Sequence, residues 1–442
     1  MALTRTKAEQ AFPEIFEAVA ARLPGGRAVA DARKAAIGAF VGLGLPHRRL
    51  EEWKYTDLRA VLKEALPPAI ADATTVTRQA VEVALEGLAA LDAYRVVYVN
   101  GAHRPELSAT VGAKGLEVVP LASALGQPAD GVADGLIRTA APGQEAVVAL
   151  NTAFMTDGAL VRIAKGVDLA KPLLLVFVRA GSEARLVTIR NALEIGAGAR
   201  ATVIEAFVTV PGAVPGQANA LSQVAVGDRA SLTHVKCTLE GIGGSHVATW
   251  IAALGAQSAY RAFQLTAGTG LVRNHLAVTF KGEGAKLDIS GAFLGRGTEH
   301  IDTTLVVDHA VPGCESRELF KGVLADKARG VFQGKVIVRP DAQKTDGKQM
   351  AQALMLSEDA EFDSKPELEI HADDVICGHG STAAELDPGM LFYLRTRGIP
   401  LDAARALLIE SFVGEALDKV EDERLRAALS AIAQSRLAAL AA

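Results

Sequence analysis

Close to the C-terminal end of the chain stands Val375-Ile-Cys377-Gly-His379-Gly-Ser381. On an extended strand, residues two apart share a face. Cys377 and His379 therefore stand side by side, and Gly378 and Gly380 leave the opposite face bare. A thiolate and an imidazole are good ligands for borderline metals and for iron–sulfur species. A free thiol ionises near about pH 8.5, so it needs a nearby cation or metal to become a thiolate at neutral pH. Two ligands do not close a four-coordinate site. The remainder must come from elsewhere in the fold or from a partner chain, which makes an interface the natural place. The same residues also fit a small buried cysteine beside a hydrogen-bonded histidine, and the spacing alone leaves both readings open.

Other groups carry weaker signals. Asp308, His309 and Cys314 are candidate additional ligands, although Pro312-Gly313 reads as an ordinary solvated turn. His371 with Asp373 and Asp374 is a small polar cluster that a strand edge explains as well. Cys237 and His234 are three apart, so on a strand they point to opposite faces. Trp53 and Tyr55 read as anchors for the N-terminal part. The three cysteines, Cys237, Cys314 and Cys377, form no Cys-x-x-Cys pair, which excludes a disulfide framework or zinc ribbon. Phosphate-binding loops are absent: Gly347-Lys348 is followed by Gln349, and no Gly-x-Gly-x-x-Gly follows a strand. No Gly-x-Ser-x-Gly elbow occurs either.

The elements that must position these residues follow from the pattern. The chain has 442 residues, half of them apolar and 22% charged, with a net charge of −5 and a pI near 6.0. This is globular composition, and it argues against non-specific binding to nucleic acid or anionic membrane. The longest strongly apolar run, Leu173 to Val178, is strand-sized, well short of the roughly 18 residues of a membrane helix. The first residues lack the apolar stretch of a secretory leader, so a cytoplasmic location is expected.

Residues 1–145 are expected to be a mainly helical domain: Phe12, Ile15, Phe16 and Val19 recur at helical spacing, and one short strand, Tyr94 to Asn100, interrupts it. From 146 to 386, short apolar stretches alternate with turns, and no helix-length segment separates them. A turn of the form Gly-x-x-Ala recurs at Gly196, Gly227, Gly255 and Gly282, with looser copies at Ala325 and Ser357. The steps are 31, 28, 27, 43 and 32 residues. A period near 30 without helices predicts a β-solenoid whose coils share one core, and the 43-residue step predicts an inserted segment around Asp308 to Ser316. Ordinary hairpin turns in a β-sandwich are the alternative. Residues 387–442 are expected to be helical again, with Asp387-Pro388 starting one helix and Asp402 capping a second.

Several of these blocks together resemble one family. Leu368-Glu-Ile-His-Ala-Asp-Asp-Val-Ile-Cys-Gly-His-Gly, then Leu386-Asp-Pro-Gly-Met-Leu-Phe-Tyr-Leu-Arg-Thr-Arg-Gly-Ile, looks like the signature of the SufB/SufD family. Gln352-Ala-Leu-Met-Leu-Ser and the set His309, Pro312, Cys314, Ser316 and Lys321 fit as well. Arg49-Leu-Glu-Glu-Trp-Lys-Tyr-Thr is similar to a block of the SufD side of that family, and the absence of cysteine before Cys237 agrees with that side.

The resemblance implies a right-handed parallel β-helix core flanked by N-terminal and C-terminal helical domains. It implies a non-catalytic scaffold in iron–sulfur cluster assembly, working with a SufB-like subunit as heterodimer and a SufC-like ATPase docked on the C-terminal helices. Iron or a nascent cluster would be bound transiently at the interface with the SufB-like chain, with Cys377 and His379 as this chain's ligands. Reduced flavin is implied for the family's complex, without a site in this sequence. For the isolated chain, a monomer and a homodimer both stay open. Two other readings stand beside it. One is a carbohydrate-active enzyme on a β-solenoid, which the 5% aromatic content disfavours. The other is a structural homo-oligomer with no metal role.

Overall fold

The computed structural model describes residues 4–110, 112–126, 143, 145–241 and 243–441. Two sheets dominate it, one of ten strands and one of nine. Successive strands alternate between them. Leu186–Ile195 lies in the nine-stranded sheet, Arg200–Thr209 in the ten-stranded sheet, and Gln217–Val226 returns to the first. Each coil thus contributes one strand to each sheet, and the chain forms a parallel β-helix. In the ten-stranded sheet, Arg200 pairs with Ser231, then Ala259, Lys286, Glu315, Asp346 and Ile376 follow in line. Along this column the coil length is 27 to 31 residues. The sheets also reach ahead of residue 146, because Tyr94–Val99 pairs in parallel with Leu173–Arg179.

The recurring turn has a physical basis at each position. Its first glycine is needed for close stacking: a Cβ on Gly227 would lie 2.8 Å from Ala197 N and 2.9 Å from Ile195 O, both backbone atoms of the coil below. Its third residue has positive φ, at Gly198, Arg229, Gln257, Gly284 and Gly313. Its fourth residue points into the core and is at most 1% exposed at Ala199, Ala230, Ser258, Ala285 and Cys314. Cys314 therefore occupies a position that the preceding coil gives to alanine, Ala285.

The 43-residue step is not an insertion. Lys286–Gly295 pairs with Glu315–Leu324 in unbroken register, and the turn at Pro312 to Cys314 is the regular one for that coil. The copies at Ala325 and Ser357 lie on the opposite edge, ahead of Arg329–Val338 and Glu361–Ile370. In the copy at Ala325 the positive-φ residue, Asp326, comes one place earlier. Both edges need a tight turn followed by a small inward residue, so both carry similar sequence.

Two substitutions check this account by urea midpoints. Gly227→Ala is expected to cost about 1–3 kcal/mol, because backbone has to move aside for the methyl. Cys314→Ala is expected to cost at most about 1 kcal/mol, since the site already accommodates alanine in other coils.

Helices cover the outer faces. Lys7–Val19, Arg27–Leu43 and Glu145–Phe154 bring Phe12, Phe16, Phe40 and Phe154 together with Trp53 against Leu186, Val247 and Leu271 of the nine-stranded sheet. Thr6 and Glu9 cap the first helix reciprocally. On the ten-stranded sheet, Leu401–Leu417 and Glu423–Ala441 set Ile409, Val413, Leu417, Leu429 and Ile432 against Val235, Leu265, Leu294 and Val323. Asp387 caps Pro388–Thr396 by accepting from Gly389 N and Met390 N. Asp402 does not cap the next helix. Pro400 holds the N-cap position and Asp402 lies within the first turn, where its charge favours the helix dipole. No described helix is long and apolar enough to cross a membrane.

Candidate functional site

Cys377 and His379 lie on Ile376–Ala384, the last strand of the ten-stranded sheet, which pairs on one side only. Glu361–Ile370 ends the nine-stranded sheet in the same way. Both sheets thus stop at one open end with unpaired edges, and Ile376 and Ile370 are exposed there. Such edges are templates for pairing with another chain.

Register fixes which way the site residues face. Cys377 ends the column Leu232, Tyr260, Leu287, Ser316 and Gly347. His379 ends the column His234, Ala262, Ile289, Glu318 and Gln349. Leu232, Tyr260, Ala262, Leu287 and Ile289 all belong to the interior core, so Cys377 and His379 share the inner face. Cys377 is half-buried and His379 exposed. Room for the thiol comes from Gly347, where a Cβ would stand 3.6 Å from Cys377 Sγ and 3.4 Å from Ser316 Oγ. On the outer face, a Cβ on Gly378 would meet nothing within 4 Å. A cavity of about 370 Å³ lies there, lined by Arg317, Lys348, Met350 and Lys419.

Burial raises the Cys377 thiol pKa, with Asp346 and Glu318 adding to the effect against a hydrogen bond from the Gly347 backbone. The thiol is therefore protonated at neutral pH, and ligation would have to displace that proton. Deeper in the same face, burial pushes Glu318 up to about 8. The other sequence candidates are held apart from this pair. His309 Nε2 lies 3.1 Å from Ser316 Oγ, and burial lowers His309 to about 4. Cys314 is a buried turn residue, and Asp308 is paired with Arg339. His371 is exposed, and Asp374 pairs with Lys344. Cys237 faces outward under the C-terminal helices, whereas His234 faces inward between Glu205 and Tyr260.

Pattern reasoning missed the polar groups inside the solenoid. Arg179 donates through Nε and Nη2 to Glu240 Oε1 at 3.3 and 3.2 Å. His246 Nδ1 donates to Glu240 Oε2 at 2.7 Å, and Lys236 Nζ donates to His246 Nε2 at 2.9 Å and to Asn274 Oδ1 at 2.7 Å. Burial lowers Lys236 to about 7 and His246 to about 4, so a neutral imidazole bridges ammonium and carboxylate. The available signal was polar residues at inward strand positions, such as Lys236 two places from His234.

Among the described residues, no three His, Cys, Asp or Glu side chains are gathered closely enough to hold a metal ion. Cys377 and His379 fit a half-site: a soft and a borderline donor on one face of an open edge, available to a metal that a second surface also ligates.

Comparison with known proteins gives the same assignment as the signature blocks. The family described as SUF system FeS cluster assembly, SufBD core domain, matches residues 177–412, and the SufBD protein N-terminal region matches residues 6–175. The iron-sulfur cluster assembly protein SufD of Escherichia coli is 31% identical over 386 residues, 87% of each chain. An iron-sulfur cluster assembly SufBD family protein of Synechocystis is 32% identical over 417 residues, 88% of this chain and 86% of its own. SufD of Bacillus subtilis is 27% identical over 66% of this chain and 67% of its own. With two family domains covering the solenoid and the N-terminal region, and SufD among its relatives, the chain belongs to the SufB/SufD family and is SufD-like.

Proposed function

We infer that this chain is a scaffold subunit for iron–sulfur cluster assembly, and that Cys377 and His379 are its own contribution to holding iron or a nascent cluster. The observation that carries the reading to these residues is their shared face on a strand with one free edge. A half-site at an unpaired edge gains its missing ligands when a second solenoid end meets it. A SufB-like subunit is the proposed second surface. Iron and sulfide are cargo in this reading. The chain supplies position and ligands, and it catalyses no step itself.

The helical tail from residue 387 is the proposed dock for a SufC-like ATPase. Its first two helices expose Met390, Phe392, Tyr393, Leu401 and Leu407, while the buried stripes of the last two helices hold the tail to the sheet. Motion at the dock would reach the open end through this packing. Exchanging Phe392 and Tyr393 for alanine is a better test than deleting the tail, since deletion would unroof the sheet.

Co-expression with SufB-like and SufC-like chains, followed by size exclusion and iron and sulfide analysis, tests the reading. A three-component complex is expected in which Cys377→Ser or His379→Ala weakens iron retention at least about tenfold, the scale seen when a metal site loses even an outer partner. A complex that keeps its iron in both variants would sink the ligand assignment and leave the scaffold role standing.

A further inference from the structure

The inner face behind His379 holds two buried polar side chains with no ion pair among the described residues. Glu318 and Gln349 are each 3% exposed, none of their side-chain oxygen and nitrogen atoms has a well-formed hydrogen bond to a described residue, and the Ser316 hydroxyl that interacts with Glu318 also faces His309. They are neighbours in one column, Glu318 beside Gln349 and Gln349 beside His379, about 4.8 Å apart from strand to strand. Across the interior, the facing strand carries Gly334, where a Cβ would overlap Gln349 Nε2. Ser364, on the last strand of that sheet, also has an unpartnered buried hydroxyl. Buried polar groups are nearly always hydrogen-bonded, and an unpartnered carboxyl is among the most unfavourable groups to bury. Glu318 and Gln349 stand side by side where the solenoid opens, next to the candidate ligands. Elsewhere in the interior, the buried carboxylates are paired, as Glu240 is with Arg179 and Glu205 with His234.

We propose that Glu318 and Gln349 form an inner cation-holding subsite, which takes a ferrous ion behind Cys377 and His379. A carboxylate oxygen, an amide oxygen and the His379 imidazole are an oxygen- and nitrogen-rich donor set suited to a divalent first-row ion, whereas Cys377 adds the softer donor toward sulfide. The subsite rests on the scaffold reading above and extends it inward. It gives the incoming metal a place one to two strands away from the thiol.

The test titrates anaerobic Fe²⁺ into the purified full-length chain against a chromogenic chelator and follows thermal unfolding without iron. Glu318→Leu is expected to weaken Fe²⁺ binding about tenfold or more while leaving the thermal midpoint unchanged or higher, because a buried carboxyl with no ion pair is replaced by an apolar group of similar size. Glu318→Gln, which keeps the shape, is expected to weaken binding as well and serves if the leucine variant does not fold. Parent-like Fe²⁺ affinity in both variants overturns the subsite. So does a lowered midpoint with unchanged affinity, which marks Glu318 as structural. If Cys377→Ser/His379→Ala loses Fe²⁺ while Glu318→Leu keeps it, the subsite falls and the outer half-site stands. If Glu318→Leu loses Fe²⁺ and Cys377→Ser keeps it, the subsite stands and the Cys377 assignment falls.

Discussion

Arg179→Met is expected to destabilise the chain by about 3–5 kcal/mol, the range for removing one partner of a buried ion pair. Arg179 and Glu240 are 7% and 8% exposed, so water does not replace the lost guanidinium. Burial alone would raise the Glu240 pKa, but Arg179 and then His246 outweigh it and hold the carboxyl at about 2. Removing both charges, as Arg179→Met/Glu240→Gln, is expected to recover much of the loss, because the penalty comes from the orphaned charge.

The same network sets the acid limb of stability. Glu240 has a folded pKa below its ordinary value of 4.5. Its contribution is complete above that value and is lost as pH falls toward about 2. His246 is held at about 4, below 6.5. The unfolded chain takes up a proton that the folded chain refuses, so stability also falls with pH between those values. Lys236, at about 7 against 10.5, has the same sign in its own window. Glu318, at about 8 against 4.5, acts oppositely, since the folded carboxyl keeps its proton there and stability falls as pH rises. Urea midpoints at several pH values should show the parent losing stability steeply below pH 4.5 and Arg179→Met losing less of it there. Parallel profiles for the two proteins would mean that the guanidinium does not set the Glu240 charge.

What was legible in the sequence is local. The same-face placement of Cys377 and His379 depends only on strand alternation, and the period near 30 depends only on each coil needing one close-stacked glycine and one small inward residue. What was not legible depends on pairing across the interior. Arg179 meets Glu240 some 61 positions away, and Glu318 stands beside Gln349 only because coils of that length align. The false insertion has a related cause, since turn sequence carries no label for the edge on which it sits. Asp402 was misplaced by two residues because Pro400 both ends the preceding turn and begins the helix, a distinction visible only in backbone angles.

The block Trp53-Lys-Tyr-Thr supports the second large prediction. Arg273 is fully buried on the outer face of the nine-stranded sheet, and Trp53 stacks on it with 3.9 Å from guanidinium carbon to ring centre. Arg273 is ion-paired with the equally buried Asp302, donates through Nη2 to Glu52 O at 2.5 Å, and Asp302 accepts from Thr56 Oγ1. Thr56 Oγ1 also lies 2.9 Å from His300 Nε2. The block therefore docks the N-terminal helices onto the third and fourth strands from the open end by covering a charge pair with an aromatic lid. Asp302→Ala is expected to cost about 3–5 kcal/mol, because it strands the Arg273 charge. Trp53→Ala is expected to cost about 3–5 kcal/mol as well, through lost packing and stacking. Since both act on Arg273, their combination should cost measurably less than the sum. Limited proteolysis should show the N-terminal helices cut first in either variant, while the solenoid stays protected. Strict additivity, with no early cleavage in the N-terminal helices, would mean that Trp53 packs beside the charge pair without covering it, and that the block owes its place to another contact.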